Sequence, residues 1–334
     1  MRVSITIPCR NEVQHIEACV RSMMIQTYPG QLITVYVVDG MSDDGTRQVI
    51  RKLTAEFSNV KLLDNTKCVT PVALNLGLKA DSAEVKIIFG AHAVMSKNYV
   101  EECVRCLNEN PEAGCVGGLI FNTYENKTSE AIGLAMSSPF GVGGAHFRTG
   151  AAEGWVDTVA FGAYRQEVFS SIGYFDEELV RNQDDEFNYR LLRYSGYKIF
   201  LSKHITSEYV VRASYKKLEM QYYQYGYWKV YVNKKHKVVT TLRQMVPFAF
   251  VSFLLLASLA SIFSRWGRYA LVAGWLLYLL SATVFAIRKS VALAPRIIWS
   301  FFLLHFSYGF GYLLGIVHFL AMGRKVARDE KLSR

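Results

Sequence analysis

The sequence predicts an α/β domain built on a mainly parallel sheet, followed by basic aromatic helices at a membrane interface and C-terminal transmembrane helices. Three observations carry this expectation. Through the first third of the chain, short β-branched runs alternate with segments of helical period. Residues 203–243 then combine nine Lys or Arg with eight Tyr or Trp and only two Glu. Finally, the 78 residues from Val246 to Gly323 contain no Asp or Glu, although the whole chain has 28.

Composition sets the outer bounds. With 334 residues, 51% hydrophobic and 20% charged, the chain is neither disordered nor collagen-like. Its balance of 38 Lys+Arg against 28 Asp+Glu gives a net charge of +10. Such a charge suits an anionic membrane surface or a nucleic acid, and its distribution decides between them.

Taken in order, VSITIP, ITVYVVD, VKLLD, VKIIFG and CVGGLI read as strands. The intervening segments 16–25, 46–57 and 71–80 carry apolar residues at helical spacing. Strands alternating with helices give a parallel sheet covered on both faces. Ligands of such sheets bind at the carboxyl ends of the strands. That rule selects the turn after Pro8, Asp39, and the segment Gly90-Ala91-His92. Residues 122–158, rich in Gly and small side chains, show no period and are expected to form a long loop over the cleft. A strand (DTVAFGAYR), a short helix, the acidic helix start NQDDEFNYRLLRYSG and the strand YKIFL follow.

The opening MRVSITIP reads as a strand rather than a leader, placing this part in the reducing cytosol. There the Cys103-x-x-Cys106 pair reads as structural thiols, since no second ligand pair lies nearby. Asn126-Lys127-Thr128 reads as an unused glycosylation triplet. The basic, aromatic stretch 203–243 suits helices in the headgroup layer, with phosphates of a nucleic acid as the rival. The apolar runs 246–263, 269–287 and 297–322 decide for the membrane, because about 20 apolar residues span a bilayer core. Lys234, Lys235, Lys237 and Arg243 put the start of the first span inside, and Arg288, Lys289 and Arg296 fit an inside loop after the second. Three full spans leave Arg324, Lys325 and Arg328 outside, against that rule. The third run, with Gly309, Gly311 and Gly315, is therefore expected to be re-entrant or strongly tilted.

Three constellations carry chemistry. The first is Pro8-Cys-Arg10-Asn11-Glu12 with Asp39-Gly-Met-Ser42-Asp43-Asp44-Gly-Thr46, both directly after strands. Asp43 or Asp44 serves as a helix cap, which leaves Asp39 free for a nucleotide. The second is Gly90-Ala91-His92, and the third Asn182-Gln183-Asp184-Asp185-Glu186. Acids at a helix start also simply favour the helix dipole.

The ordered pair SITIPCRNE and VYVVDGMSDDGT is similar to the nucleotide-sugar half of inverting family 2 glycosyltransferases of GT-A fold. That resemblance implies donor-binding roles for Pro8, Arg10, Asn11, Glu12, Asp39, Asn75 of ALNLG, and Ala91. The family usually carries Asp-x-Asp where this chain has Gly90 and His92, so His92 is the implied ligand of a divalent metal, Mn2+ or Mg2+. Imidazole in the donor set favours manganese. Aligned on Arg190, Gln183 and Asp184 fall on the family's Glu-Asp pair, which makes Asp184 the implied general base and Asp185 its local competitor. ALNLG, TVAFGAYR, RNQDDEFNYRL and QYYQYGYWKVYVNKKH together resemble bacterial exopolysaccharide glucosyltransferases of the succinoglycan type. Gln224, Tyr227 and Trp228 resemble the Gln-x-x-Arg-Trp of processive synthases with Tyr for Arg, and Arg212 is a candidate for a diphosphate.

The resulting expectation is a GT-A domain over 1–205, interface helices over 206–245, a membrane segment over 246–323 and a basic tail over 324–334. The implied reaction moves a sugar from a nucleoside-diphosphate donor to a polyprenyl-diphosphate-linked saccharide at the bacterial cytoplasmic membrane. Membrane lipids are expected partners and nucleic acid is not. A catalytically silent nucleotide-sugar-binding scaffold is the alternative, motivated by Gly90.

Overall fold

The computed structural model describes residues 1–150, 152–211, 213–240 and 242–323, so Arg212 and the tail 324–334 lie outside the described residues. In chain order the first elements are β1 (Val3–Cys9), α1 (Ile16–Met24), β2 (Ile33–Asp39), α2 (Thr46–Glu56), β3 (Val60–Asp64) and α3 (Thr70–Leu78). They are followed by β4 (Val85–Ile88), β5 (Ala93–Met95), α4 (Tyr99–Glu109), β6 (Ala113–Thr123), α5 (Lys127–Met136), α6 (Pro139–Val142) and α7 (His146–Thr149). Next come β7 (Gly154–Val156), β8 (Ala160–Arg165), α8 (Gln166–Ile172), α9 (Gln183–Tyr194), β9 (Lys198–Val210) and α10 (Tyr215–His236). The last three helices are α11 (Val246–Phe263), α12 (Arg265–Lys289) and α13 (Ala294–Gly315).

Two compact units divide these elements: Met1–Asn122 with Ala145–Val210, and Thr123–Gly144 with the chain from Val211 onward. The first holds a nine-stranded sheet in the order β3-β2-β1-β4-β8-β6-β9-β5, with β7 also paired to β9. Strands β1 to β4 pair in parallel. The pairs β4–β8, β6–β8, β5–β9 and β7–β9 are antiparallel, so the expected parallel sheet forms half of a mixed one. The antiparallel β6 and β8 have runs of consecutive buried residues, as the parallel β1 has, and read as the same kind of apolar run, which is why sequence did not separate them. In β1, for example, Val3, Ile5 and Ile7 are buried, and so are Ser4 and Thr6 on the other face. Cys103 and Cys106 are buried and unpaired in the core of this unit. Burial pushes both thiols up, the second to about 11.

Residues 122–158 differ from the expected loop, because they contain α5, α6, α7 and β7. Asn126 starts α5 with a reciprocal cap: its side chain accepts from the Thr128 and Ser129 N–H groups, and Ser129 Oγ accepts from the Asn126 N–H. Such a cap satisfies orphan N–H groups at the helix start. The buried residues of α5 are Ser129, Ala131, Ile132, Gly133, Ala135 and Met136, and the four small ones among them hide the helical period.

In the second unit, α11, α12 and the run from α13 to Ala321 are long and apolar enough to cross a membrane. The third run, expected to be re-entrant or strongly tilted, is one helix, α13, continuing into a π-helical turn over Ile316–Ala321, which fits the second alternative rather than the first. Its glycines serve packing. A Cβ on Gly311 would stand 2.1 Å from the Tyr223 carbonyl oxygen of α10, and one on Gly309 2.2 Å from that of Pro247 in α11. Small residues let helix backbones approach closely, the usual means of packing helices in lipid. Side chains add polar ties between these helices. Tyr227 Oη lies 3.1 Å from His318 Nδ1, and Asn233 Nδ2 donates to Tyr312 Oη at 3.0 Å. His305 Nε2 meets the Phe140 carbonyl at 2.8 Å, and its Nδ1 meets Tyr278 Oη at 3.0 Å. A carbonyl only accepts, so Nε2 carries the proton and Nδ1 accepts from the tyrosine.

Candidate active site

The loops after β1 and β2 clasp one another. Asn11 donates from Nδ2 to Asp43 Oδ1 (2.9 Å) and accepts the Asp43 N–H at Oδ1 (3.1 Å). The Asn11 N–H donates to Ser42 Oγ, the Glu12 N–H to Thr46 Oγ1, both at 2.8 Å, and the Val13 N–H to Asp44 Oδ2 at 3.2 Å. Asn11 and Met41 adopt left-handed backbone, φ 54° and 56°, where asparagine is better tolerated than most residues. Asp44 caps α2 through the Thr46 N–H (3.0 Å). Its partial burial would raise the carboxyl, but the Thr46 and Val13 hydrogen bonds outweigh that and hold it below the usual value. Pro8 lies within β1 beside Val38, and the Arg10 side chain rests against Gly40.

Asp39 is fully buried at the end of β2. One oxygen accepts from the Ser42 hydroxyl at 2.5 Å. The other takes the Ser42 N–H at 3.0 Å and Arg47 Nη1 at 2.6 Å. Arg47 also reaches Asp64 Oδ1 at the end of β3, at 2.8 Å. Asp39 therefore organises the turn, and Arg47 bridges two strand ends. Sequence reading missed Arg47; the available signal was a cation inside the first turn of α2, eight residues beyond Asp39.

At the end of β4, His92 Nδ1 stands 3.4 Å from Glu12 Oε1, which brings the first and second constellations together. Ala91 between them is buried. Gly90 has a physical reason: a Cβ there would lie 2.8 Å from Cε1 of Phe161. Phe161 is held in an unusual left-handed conformation, φ 50°, with its ring on Phe89 (centroids 4.5 Å). Its carbonyl accepts from the buried Tyr99 hydroxyl at 2.5 Å. The aromatic ring thus stands where the family's first acid would begin, and nothing in the sequence around Phe161 announces it.

Among the described residues, no three His, Cys, Asp or Glu side chains gather as a complete metal site. The Glu12–His92 pair nevertheless fits part of one. Two donors each about 2.1 Å from a single octahedral ion stand about 3 Å apart, close to the observed separation. A nitrogen and a carboxylate oxygen suit manganese, with phosphate oxygens completing the shell.

Helix α9 starts after Asn182, itself left-handed at φ 59°, and carries the three adjacent acids in its first turn. The structure separates their roles. Glu186 is buried and paired twice with Arg190 (2.7 and 3.0 Å), whose guanidinium also donates to the Ile172 and Tyr174 carbonyls. Asp184 is exposed and Asp185 half-buried. The Tyr164 phenol is raised well above its ordinary value by burial, with Cys115 and then Asp184 adding to it, so Asp184 lies near the β8 strand.

Asn75, expected at the donor, ties α3 to the chain ahead of α9. It donates to the Phe175 carbonyl (2.9 Å) and to Glu177 Oε1 (3.1 Å), and accepts the Phe175 N–H (3.0 Å). Lys67 completes this tie at 3.1 Å from Glu177. The Asn75 and Lys67 contacts hold the Glu177 carboxyl below its ordinary value. Gln224, Tyr227 and Trp228 are buried in α10, within the second unit.

The family model described as glycosyl transferase family 2 matches residues 4–173. A curated relative from Methanococcus voltae, dolichyl N-acetyl-alpha-D-glucosaminyl phosphate 3-beta-D-2,3-diacetamido-2,3-dideoxy-beta-D-glucuronosyltransferase, is 33% identical over 76% of this chain and 80% of its own length. The succinoglycan biosynthesis protein ExoA of Rhizobium meliloti (strain 1021) is 32% identical over 73% of this chain and 74% of its own. Among solved structures, the mannosyltransferase PcManGT from Pyrobaculum calidifontis, in complex with GDP-Man and Mn2+, superposes with a TM-score of 0.59 at 17% identity, covering 93% of this chain and 87% of that one. S. aureus TarS 1–349 in complex with UDP gives a TM-score of 0.51 at 14% identity, covering 100% and 95%. These two likenesses show the GT-A-like fold. With the strand-end loops meeting at one cleft, the family match and the two curated relatives place this chain in glycosyl transferase family 2, as a glycosyltransferase.

Proposed function

We propose that this glycosyltransferase takes a hexose from a UDP-linked donor and passes it, with inversion, to a lipid-linked saccharide at the surface of the bacterial cytoplasmic membrane. The observation that carries the reading is the meeting of the β1, β2 and β4 loops around the Glu12–His92 pair, at the carboxyl ends of parallel strands. A lipid-linked acceptor is supported by the relatives, one named for transfer to a dolichyl phosphate sugar and the other for succinoglycan biosynthesis. A membrane anchor would hold the site near such an acceptor and raise its effective concentration.

In this reading the Asn11–Asp43 clasp shapes the nucleotide pocket, with Pro8, Arg10 and Ala91 along its floor. Asp39 fixes the turn that carries Ser42, and it presents Arg47 toward the donor. Asp184 accepts the proton of the acceptor hydroxyl as that oxygen attacks the anomeric carbon, and Asp185 is left to orient the acceptor. One direct displacement inverts the centre and releases the nucleoside diphosphate. His92 and Glu12 would hold a divalent ion, which when bound supplies electrostatic stabilisation of the leaving diphosphate.

The test is a pair of measurements on the detergent-solubilised chain. UDP-glucose, GDP-mannose and UDP-N-acetylglucosamine are titrated by calorimetry with and without Mn2+, and transfer is followed with the preferred donor. Asp184→Asn is expected to lower transfer by about 10²–10⁴-fold while UDP affinity holds. Wild-type turnover in that variant removes Asp184 from the base role. A silent scaffold, the reading favoured by Gly90, predicts donor binding without transfer in the wild type.

A further inference from the structure

Three polar atoms of one short stretch are buried without a hydrogen-bond partner among the described residues: His146 Nδ1, Arg148 Nη1 and Thr149 Oγ1, all on α7. Buried polar groups are nearly always paired, so three orphans within one turn point to a missing partner. Arg148 forms no ion pair among the described residues. Its guanidinium lies 5.4 Å from the centroid of Tyr209 and 5.5 Å from that of Phe147. The Tyr209 ring in turn meets His92 edge-on, with centroids 5.0 Å apart. One tyrosine therefore touches both the His92 of the candidate active site and the unpaired arginine.

The chemistry of the absent partner follows from the donors. An arginine N–H can only donate, while the threonine hydroxyl and the histidine ring nitrogen can each donate as well. Three donors within four residues, one of them cationic, match a ligand with several acceptor oxygens and negative charge. Arginine is the side chain best suited to phosphate geometry. We propose that His146, Arg148 and Thr149 form a phosphate-binding site beside His92, distinct from the nucleotide pocket made by residues 10–13 and 39–47. The phosphate belongs either to the donor's diphosphate or to the lipid-linked acceptor. This deepens the proposed reaction and rests on it only for the identity of that phosphate.

The full chain in detergent is titrated with inorganic pyrophosphate, farnesyl phosphate and UDP, as wild type, Arg148→Ala and Thr149→Val. Arg148→Ala is expected to weaken pyrophosphate binding at least tenfold. If the acceptor supplies the phosphate, farnesyl phosphate weakens by a similar factor and UDP is unchanged. If the donor supplies it, UDP weakens and farnesyl phosphate does not. Thr149→Val weakens pyrophosphate and leaves the thermal midpoint level or higher, because the hydroxyl has no internal bond to lose. Unchanged affinities for all three probes in a folded Arg148→Ala overturn the site, as does a fall of several degrees in Thr149→Val. Wild type that binds UDP but neither phosphate probe overturns the site alone. Wild type that binds none overturns the donor reading with it.

Discussion

Adding a side chain at Gly90 tests why the family's first acid is missing. A Cβ there would stand 2.8 Å from Phe161 Cε1, against about 3.5–4.0 Å for carbon atoms in contact. The ring would have to retreat by roughly 0.7–1.2 Å. It has little room, since its ring also packs on Phe89 at 4.5 Å and its backbone is pinned by the Tyr99 hydroxyl. Overpacking of this kind costs about 1–3 kcal/mol. Taking about 2 kcal/mol, the thermal midpoint of Gly90→Ala should fall by about 4–8 °C for a unit of this size. Phe161→Ala loses packing of its own but removes the clash, so the double variant should recover about 1–2 kcal/mol relative to the sum of the singles. The assay is a double-mutant cycle by thermal denaturation in detergent. Manganese titration of Gly90→Asp/Phe161→Ala in the presence of UDP then asks whether the freed space accepts a carboxylate ligand; affinity above wild type is expected. A Gly90→Ala midpoint equal to wild type, or strictly additive losses in the cycle, would refute the steric account.

Other expectations concern the frame around the site. The folded pKa of Glu177 is depressed by Asn75 and Lys67, so its contribution to stability is complete above about pH 4.5 and is lost as pH falls through the lowered value. The gap in midpoint between wild type and Glu177→Gln should therefore be constant near neutrality and shrink on acidification, and it should be small because both partners are partly exposed. Of the six cysteines only Cys68 is not buried, so native alkylation with iodoacetamide followed by mass spectrometry should mark that residue alone. Rapid labelling of Cys103 or Cys106 would contradict the burial that raises their pKa. Gly311→Val should separate α10 from α13, because its side chain would run into the Tyr223 carbonyl; proteolysis within α10 reports the outcome.

The legible parts of this molecule are those where local pattern and final contact coincide. Strand ends at Asp39 and Gly90, the acid run at Asp184–Glu186 and the apolar helices all follow from spacing and composition. Tertiary choices were hidden. Both oxygens of Asp39 accept hydrogen bonds from Ser42 and Arg47, so the residue expected at the ligand also shapes the turn that follows it. Asn75 is spent on the Phe175 backbone, a partner 100 residues away. Phe161 fills the space at Gly90 from β8, the antiparallel neighbour of β4, and the bond that fixes it comes from Tyr99. The period of α5 escaped because four of its six buried residues are Ser, Ala or Gly, which carry little hydropathy contrast.

The chain crosses between the two units three times, after Asn122, after Gly144 and after Val210. Phe140, on the excursion between the first two crossings, stacks on Phe285 and packs against Tyr278, Phe301 and His305. It precedes His305 by 165 positions. At about 5–20 residues per second, a ribosome would leave this apolar stretch without its seat for roughly 8–33 s. A soluble fragment cut at Val210 would leave it so permanently. The first unit of this enzyme is thus not a module to be lifted out by trimming the chain after Val210, because residues 123–144 of the second unit interrupt it in sequence.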